Sequence, residues 1–308
     1  MFQSRVKKIL QHPQYLFLTL GHRGFFNWMK DETYIKIAYR LKMGKKLNLD
    51  APKSYNEKLQ WLKLNNYKPE YTKYVDKYEV REYIGDTIGD EYLIPLLGVW
   101  NKFEDIEFDA LPEKFVLKCT HDSGGIVKCT DKNKFNRKAA RRKISNSLKY
   151  NYFWGSREKP YRDIKPRIIA EQYMVDESSA ELRDYKFFCF DGEVKALFIA
   201  TNRGIDTRFD FFDMDFNHLP FMQHYKNADI KIEKPDQFNE MIEISRKLSA
   251  GIPHVRVDLY NVDGKVYFGE LTFYHFSGLE KFEPEEWDLR FGSWIDLHRQ
   301  RKEMYDYE

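Results

Sequence analysis

The sequence predicts an α+β protein, and three observations carry that prediction. Asp191-Gly192 and Asp263-Gly264 each stand between runs rich in β-branched and aromatic residues, the strongest short-range mark of a hairpin. Segments 31–41, 54–64 and 236–250 carry apolar residues at helical spacing behind capping residues. Phe115–Cys119 and Ile126–Thr130 read as a third strand pair, joined by the glycine-rich loop HDSGG.

Length and composition bound the function. At 308 residues the chain can bury a large core shared between two or three subdomains. Aromatic residues make up 17%, which argues against disorder, and a net charge of +3 leaves no global footprint for nucleic acid. Cys119, Cys129 and Cys189 form no CxxC and are odd in number, which favours free thiols in a reducing compartment. The apolar run Tyr15–Leu20 is too short for a signal peptide, and no run approaches the length of a membrane span. A soluble, cytoplasmic protein is expected.

In chain order, residues 1–50 are basic (Arg5, Lys7 and Lys8 among them) and aromatic-rich. Asp31 is expected to cap a helix that buries Tyr34, Ile37, Ala38 and Leu41 and stops at Gly44. Such a segment rests on an anionic membrane surface or packs on its own domain with its lysines wet. Ser54 with Glu57 makes a capping box, and Leu59, Trp61, Leu62 and Leu64 form that helix's core face. Asp76 reads as the cap of a helix ending at Gly85, with Lys77 in its first turn. The helix dipole disfavours a cation there, so Lys77 either faces solvent or reaches for a phosphate. Tyr92–Leu97 and Gly98–Trp100 read as short strands or connectors.

Ser123-Gly124-Gly125 lets backbone N–H groups approach an anion, and Lys118 on the entering strand can reach the same group. No GxxxxGK[ST] or GxGxxG is present, so an ordinary turn is the competing reading. Residues 134–152 form a basic helix with Phe135, Ala139, Ile144 and Leu148 as its stripe, and Ile168–Ala170 is a buried strand leading into Glu171. The hairpin at Asp191-Gly192 carries Asp184, Lys186 and Arg203 toward one region. Asp236 is expected to cap a helix reaching Ala250, with Phe238, Met241, Ile242 and Leu248 inward and Gly251 as its stop.

The hairpin 255–271 holds two acids that its apolar pattern does not need, Asp258 on the first strand and Glu270 on the second. Placed across the ladder they repel unless a cation sits between them, and hard oxygen ligands suit Mg²⁺. Arg256 shares the face of Asp258. Metal and arginine together serve phosphoryl transfer, whereas solvated acids on a surface hairpin are the plainer alternative.

The order of these features resembles an ATP-grasp enzyme, and more closely its TupA-like (teichuronopeptide biosynthesis) branch. The stretches NEKLQWLKL, VDKYEVREYI, FVLKCTHDSGG, DYKFF, RVDLY and FGELTF carry the likeness over roughly residues 31–297. The resemblance implies two α/β subdomains gripping ATP between β-sheets, with an N-terminal helical extension. Its divisions would be 1–60 (helical and basic), 61–110 (N-terminal α/β part), 111–175 (lid), 176–297 (catalytic subdomain) and 298–308 (charged tail).

It further implies that Lys77 and Lys118 contact the nucleotide phosphates under the loop Ser123, Gly124 and Gly125, with Lys186 nearby. Glu171, Gln172, Tyr173 and Met174 would form the hinge that meets adenine. Asp258 and Glu270 would hold Mg²⁺. Arg256 would stabilise the phosphoryl group in flight, with Lys186 and Arg203 beside it. Thr272 stands where most ATP-grasp enzymes have Asn, and its hydroxyl is a poorer neutral oxygen ligand. The ribose acid is left among Asp176, Glu177 and Glu181.

By the same resemblance the activity is ATP-dependent joining of a carboxylate to an amine through an acyl phosphate. Its partners would be a uronic acid or similar polysaccharide precursor and an amino acid, with peripheral contact at the cytoplasmic face of the membrane. Two rivals stand beside it. A metal-dependent glycosyltransferase would use Asp213 and Asp215 as a DxD motif, and a non-catalytic polysaccharide- or membrane-binding protein would use the basic N-terminus.

Overall fold

The computed structural model describes residues 13–175 and 182–297. Arg5, Lys7, Lys8, the acids Asp176, Glu177 and Glu181, and the tail 298–308 lie outside the described residues. Helices come first: Pro13–His22 (α1), Asp31–Met43 (α2), Tyr55–Asn65 (α3), Glu70–Val75 (α4) and Val80–Ile88 (α5). The capping box at α3 forms as predicted, Ser54 Oγ accepting from the Glu57 N–H and Glu57 Oε2 from the Ser54 N–H. Gly44 ends α2 in the left-handed conformation. Asp31, however, opens α2 rather than capping it, since Lys30 holds the cap position. α2 also carries more apolar residues than one face can hold: Tyr34, Ile35, Ala38, Tyr39 and Met43 are buried, while Leu41 is exposed. α5 continues through Gly85 to Ile88, and Gly89 closes it at φ 113°.

The strands follow in two sheets. Leu96–Trp100 (β1), Phe115–Cys119 (β2), Ile126–Cys129 (β3) and Ile168–Gln172 (β4) form an antiparallel sheet in the order β1-β4-β2-β3. Tyr92, expected in a short strand or connector, lies in a short turn before β1. Between β3 and β4 run Arg137–Leu148 (α6), capped by Asn136, and Phe153–Ser156 (α7). α6 turns Ala140 and Ile144 inward, not Ala139, onto a core with Phe115, Leu117, Cys119, Ile168 and Ala170.

Asp184–Phe190 (β5), Glu193–Thr201 (β6), Arg208–Phe212 (β7), Val255–Val262 (β9) and Lys265–Thr272 (β10) make the larger sheet, ordered β10-β9-β5-β6-β7 and antiparallel throughout. Met222–Gln223 (β8) pairs with Phe282–Glu283 (β11). Both Asp-Gly turns form with positive φ at each residue (50° and 83°, 49° and 79°), the geometry that matches strand twist. Phe238–Ser249 (α8) covers one face with the four predicted inward residues, although Gln237 and not Asp236 occupies its cap position. Glu286–Ser293 (α9) closes the other side, where Phe291 packs edge-on against Phe188.

Beneath that face His254 is buried, its Nδ1–H donating to the Cys189 carbonyl (2.9 Å) and its Nε2 accepting from the Tyr55 hydroxyl (2.8 Å). Burial holds this imidazole neutral, down to about 3 from the ordinary 6.5. The unfolded chain therefore binds a proton below pH 6.5 that the folded chain refuses until far lower pH. We expect urea unfolding to show stability falling with pH below 6.5, by about 1.4 kcal/mol per unit on account of His254. His254→Gln should lessen that slope, and an identical slope in the variant contradicts this assignment.

Candidate active site

Asp258 and Glu270 face each other because β10 departs from regular pairing. From the turn, Lys265 pairs with Val262 and Phe268 with Leu259; a regular ladder would then set Gly269 against Asp258 and Glu270 against Val257. Instead the register shifts by one residue, and Glu270 pairs with Asp258 and Thr272 with Arg256. Gly269 is the extra residue of this bulge, which re-aims the side chains that follow it. A Cβ there would lie 2.9 Å from the Asp258 carbonyl oxygen and 3.0 Å from the Tyr260 ring, so the close approach requires glycine.

The pairing gathers charge from three adjacent strands. Lys186 on β5 stands opposite Asp258 on β9, and its ammonium contacts the carboxylates of Asp258 and, at 2.6 Å, Asp184. Arg203 reaches Asp184 at 3.1 Å. Arg256 Nε and Nη2 donate to the two oxygens of Asp258 (2.6 and 2.7 Å), and Nη2 also donates to Glu270 (3.2 Å) and Thr272 (3.0 Å). Asp258 is 1% exposed, whereas the Glu270 side chain keeps 42% of its surface. Burial alone would raise the Glu270 carboxyl; Lys186, Arg256 and Lys77, with the Thr272 hydroxyl, hold it down to about 2. Burial pushes the Asp258 carboxyl up while Arg256 and Lys186 pull it back. Burial also works against the Arg256 charge, and Asp258 more than compensates.

Two further residues belong to this array, and sequence patterning missed them. Arg256 Nη1 lies 2.7 Å from His275 Nδ1, and His275 Nε2 lies 2.9 Å from Gln223 Oε1, with both partners 1% exposed. A guanidinium only donates, so Nδ1 accepts and the proton sits on Nε2, donated to Gln223. Burial and the Arg256 charge keep His275 neutral. Its place three residues after Thr272, past the end of the strand, gave no periodic signal.

Across the cleft stands the smaller sheet. Lys118 Nζ lies 2.5 Å from Glu171, which also faces Arg81 at 3.8 Å. Gln172 is exposed, and Tyr173 and Met174 are half-buried just beyond β4. Lys77 lies in the turn before α5 rather than in the helix, because Asp76 caps that turn by accepting from the N–H groups of Tyr78 and Glu79. Arg167 pins the turn through Asp76 and Glu79. Lys77 Nζ donates to the Asp122 carbonyl (2.5 Å) in the glycine loop, and a narrow cavity unites Lys77, Lys118 and Glu171 with Gly269.

In that loop Ser123 and Gly124 are exposed, and a Cβ on Gly124 would meet nothing nearer than 3.7 Å. Gly125 is packed: a Cβ there would fall within 2.7 Å of Ser147 and Cys119. Among the described residues no three His, Cys, Asp or Glu side chains form a metal cluster. Asp213 accepts from the N–H groups of Asp215 and Asn217 and from the Asn217 amide, closing a turn after β7, the far edge of the larger sheet.

The TupA-like ATPgrasp family matches residues 57–296. The chain belongs to that family. It thus has the ATP-grasp fold. Similar solved structures include the ATP-grasp ligase PsnB with its minimal precursor, 13% identical over 72% of this chain and 60% of that one (TM-score 0.40). Two others are a D-alanine–D-alanine ligase from Bacillus anthracis (15%; 82% and 72%; 0.41) and the D-cycloserine synthetase DcsG (16%; 74% and 71%; 0.40). The chain spans 60% of the PsnB chain. No curated protein matches it.

Gly269→Val should displace the Asp258 backbone and carry Glu270 out of register. We expect ATP turnover to fall about 100-fold, the scale of a misplacement near 1 Å, with thermal melting still cooperative. Turnover within twofold of the parent contradicts the role given to the bulge.

Proposed function

We propose that this ATPgrasp protein joins a carboxylate to an amine through an acyl phosphate, in the assembly of a surface polysaccharide. The acid would be a uronic acid or similar precursor, and the amine an amino acid. The observation that supports the reading is the Arg256–Asp258–Glu270 array with Lys186, beside a cavity that Lys77 and Lys118 line together with Gly269, the residue before Glu270. In this reading residues 111–175 form the lid and 176–297 the catalytic subdomain.

The chain's residues divide the work. Lys77, Lys118 and Lys186 supply positive charge for the phosphates, and Ser123, Gly124 and Gly125 supply N–H groups of the covering loop. Glu171, Gln172, Tyr173 and Met174 line the adenine side. Arg256, held by His275 and Gln223, presents a fixed guanidinium to the transferred phosphoryl group, aided by Lys186 and Arg203. A preorganised cation of this kind stabilises charge that develops in the transition state without reorganising.

The donor set fits Mg²⁺. Glu270 is an open, ionised carboxylate and Asp258 faces it, which matches an ion that takes one or two protein carboxylates and completes its shell with phosphate oxygens and water. Glu270 and Asp258 would hold the ion, with the Thr272 hydroxyl beside them, and it would neutralise phosphate charge. Among the described residues no helix is long and apolar enough to cross a membrane. In this reading any membrane contact would be peripheral, through the basic N-terminal segment.

The test is hydroxylamine trapping: protein, ATP, Mg²⁺ and hydroxylamine with a panel of uronic acids and amino acids. We expect an ATP-dependent hydroxamate from one acid class, and Glu270→Gln to reduce it at least about 100-fold in a protein that still melts cooperatively. No hydroxamate from any acid, or full activity in Glu270→Gln, overturns the reading.

A further inference from the structure

The first acid of the chain is Asp31, and the residues before it include Arg5, Lys7, Lys8, Arg23 and Lys30 without one Asp or Glu. Sequence leaves open whether the aromatic rings of this stretch pack inward, and the structure divides them. Leu18, Tyr34 and Ala38 bury together, with Phe17, Phe26 and Met29 packed against them. Phe25 and Trp28, in the turn between α1 and α2, are left 63% and 79% exposed.

A loose loop is not the cause. The Phe25 N–H donates to the Leu20 carbonyl (3.1 Å), that of Asn27 to Gly24 (3.2 Å) and that of Met29 to Phe26 (3.0 Å), while Gly24 takes the positive φ (82°) the turn requires. Phe26 stacks on Phe17 with ring centroids 4.6 Å apart. Arg157, itself buried, donates through Nη2 to the Phe26 carbonyl (2.7 Å) and lies over the Tyr34 ring. The turn is therefore held in a shape that leaves two large apolar side chains in water, which is unfavourable unless something covers them.

Charge and size together say what covers them. Arg23 and Lys30 flank the pair and are exposed, and among the described residues no acid lies within ion-pair distance of either. The acids that follow are already engaged: Asp31 faces Arg157 Nε at 3.5 Å, and Glu32 contacts Lys36. The turn thus presents net positive charge, the complement of an anionic surface. In size, an exposed Trp and Phe offer roughly 300 Å², against about 800 Å² per partner in a stable protein interface. A bilayer needs less, because aromatic rings settle at headgroup level and basic side chains meet anionic lipid beside them.

We propose that residues 23–30 form a membrane-docking loop: Phe25 and Trp28 enter the headgroup–acyl boundary of an anionic bilayer while Arg23 and Lys30 meet its lipid phosphates. This deepens the peripheral contact of the reading above and rests on that part of it alone, independent of the ligase chemistry. Contact is then the shallow insertion of a structured turn, not only adsorption of a basic segment.

The test is cosedimentation of the full chain with phosphatidylcholine vesicles, with and without phosphatidylglycerol. We expect binding that requires phosphatidylglycerol. Phe25→Ser with Trp28→Ser should weaken it at least about tenfold, and Arg23→Gln or Lys30→Gln about fivefold each. All four side chains are exposed, so each variant should melt like the parent. Brominated lipid should quench the fluorescence of the parent and spare that of Trp28→Phe.

An aromatic double variant that binds like the parent, while Arg5→Gln, Lys7→Gln and Lys8→Gln together abolish binding, overturns the loop and leaves the peripheral contact to the basic segment. Equal quenching of parent and Trp28→Phe overturns the loop too. A parent that dimerises in solution, and loses the dimer in the aromatic double variant, has a second copy on this face and overturns the bilayer as its occupant. A parent that binds neither vesicle overturns the loop and the peripheral contact together. Hydroxamate formation needs no lipid, so the ligase reading stands or falls separately.

Discussion

The site depends on one side chain that must stay charged while almost out of water. Arg256 is 8% exposed, and a cation so placed is tolerable only when every donor finds an acceptor. Its fork is matched by both oxygens of Asp258, by Glu270 and Thr272, and by the neutral ring of His275. Remove one partner and the remaining charge is left uncompensated, an effect of about 3–5 kcal/mol for a buried pair. A lysine could not replace it, because a point charge cannot address two sides of a carboxylate and a ring nitrogen together. The array therefore sets limits on every element around it.

Those limits explain the architecture. Neighbouring strands β10, β9 and β5 bring Glu270, Asp258 and Lys186 into one row because opposite residues in an antiparallel ladder share a face. Beneath them lies an aromatic layer. Phe198 sits under both cations, 5.6 Å from the Arg256 guanidinium and 5.9 Å from Lys186, while Phe188 meets His275 edge-on. Rings in this layer are rigid and exclude water, which strengthens the electrostatics above them. The smaller sheet has its own core and presents Lys118 to a narrow cavity that Lys77, from the turn before α5, lines together with Phe268 and Gly269 of β10.

Much of this was legible in the sequence because it is local. The Asp-Gly turns, the capping box at Ser54 and the glycine stops at Gly44 and Gly251 each rest on a few adjacent residues with a fixed conformational preference. Two pieces of the site were not legible. That Asp258 and Glu270 approach each other was read from the hairpin, but their direct pairing was not: counting from the turn places Glu270 opposite Val257, and the bulge at Gly269 that shifts it is a packing outcome at one small residue and leaves no periodic trace. His275 reaches Arg256 from outside its sheet, 19 positions away, and Gln223 in turn holds His275, with no spacing rule to connect them. The helix caps at Asp31 and Asp236 failed for a related reason: a good capping residue one position from the true boundary looks the same in sequence.

The central claim is that one cleft, between Glu270 with Asp258 and the lysines Lys77, Lys118 and Lys186, receives the nucleotide. The most direct measurement is a crystal structure of the protein with Mg²⁺ and a non-hydrolysable ATP analogue. This account predicts the triphosphate among the three lysines, the metal on Glu270 and Asp258, and adenine against Glu171–Met174. A triphosphate bound elsewhere, or a metal held by Asp213 and Asp215 with Glu270 free, would contradict it.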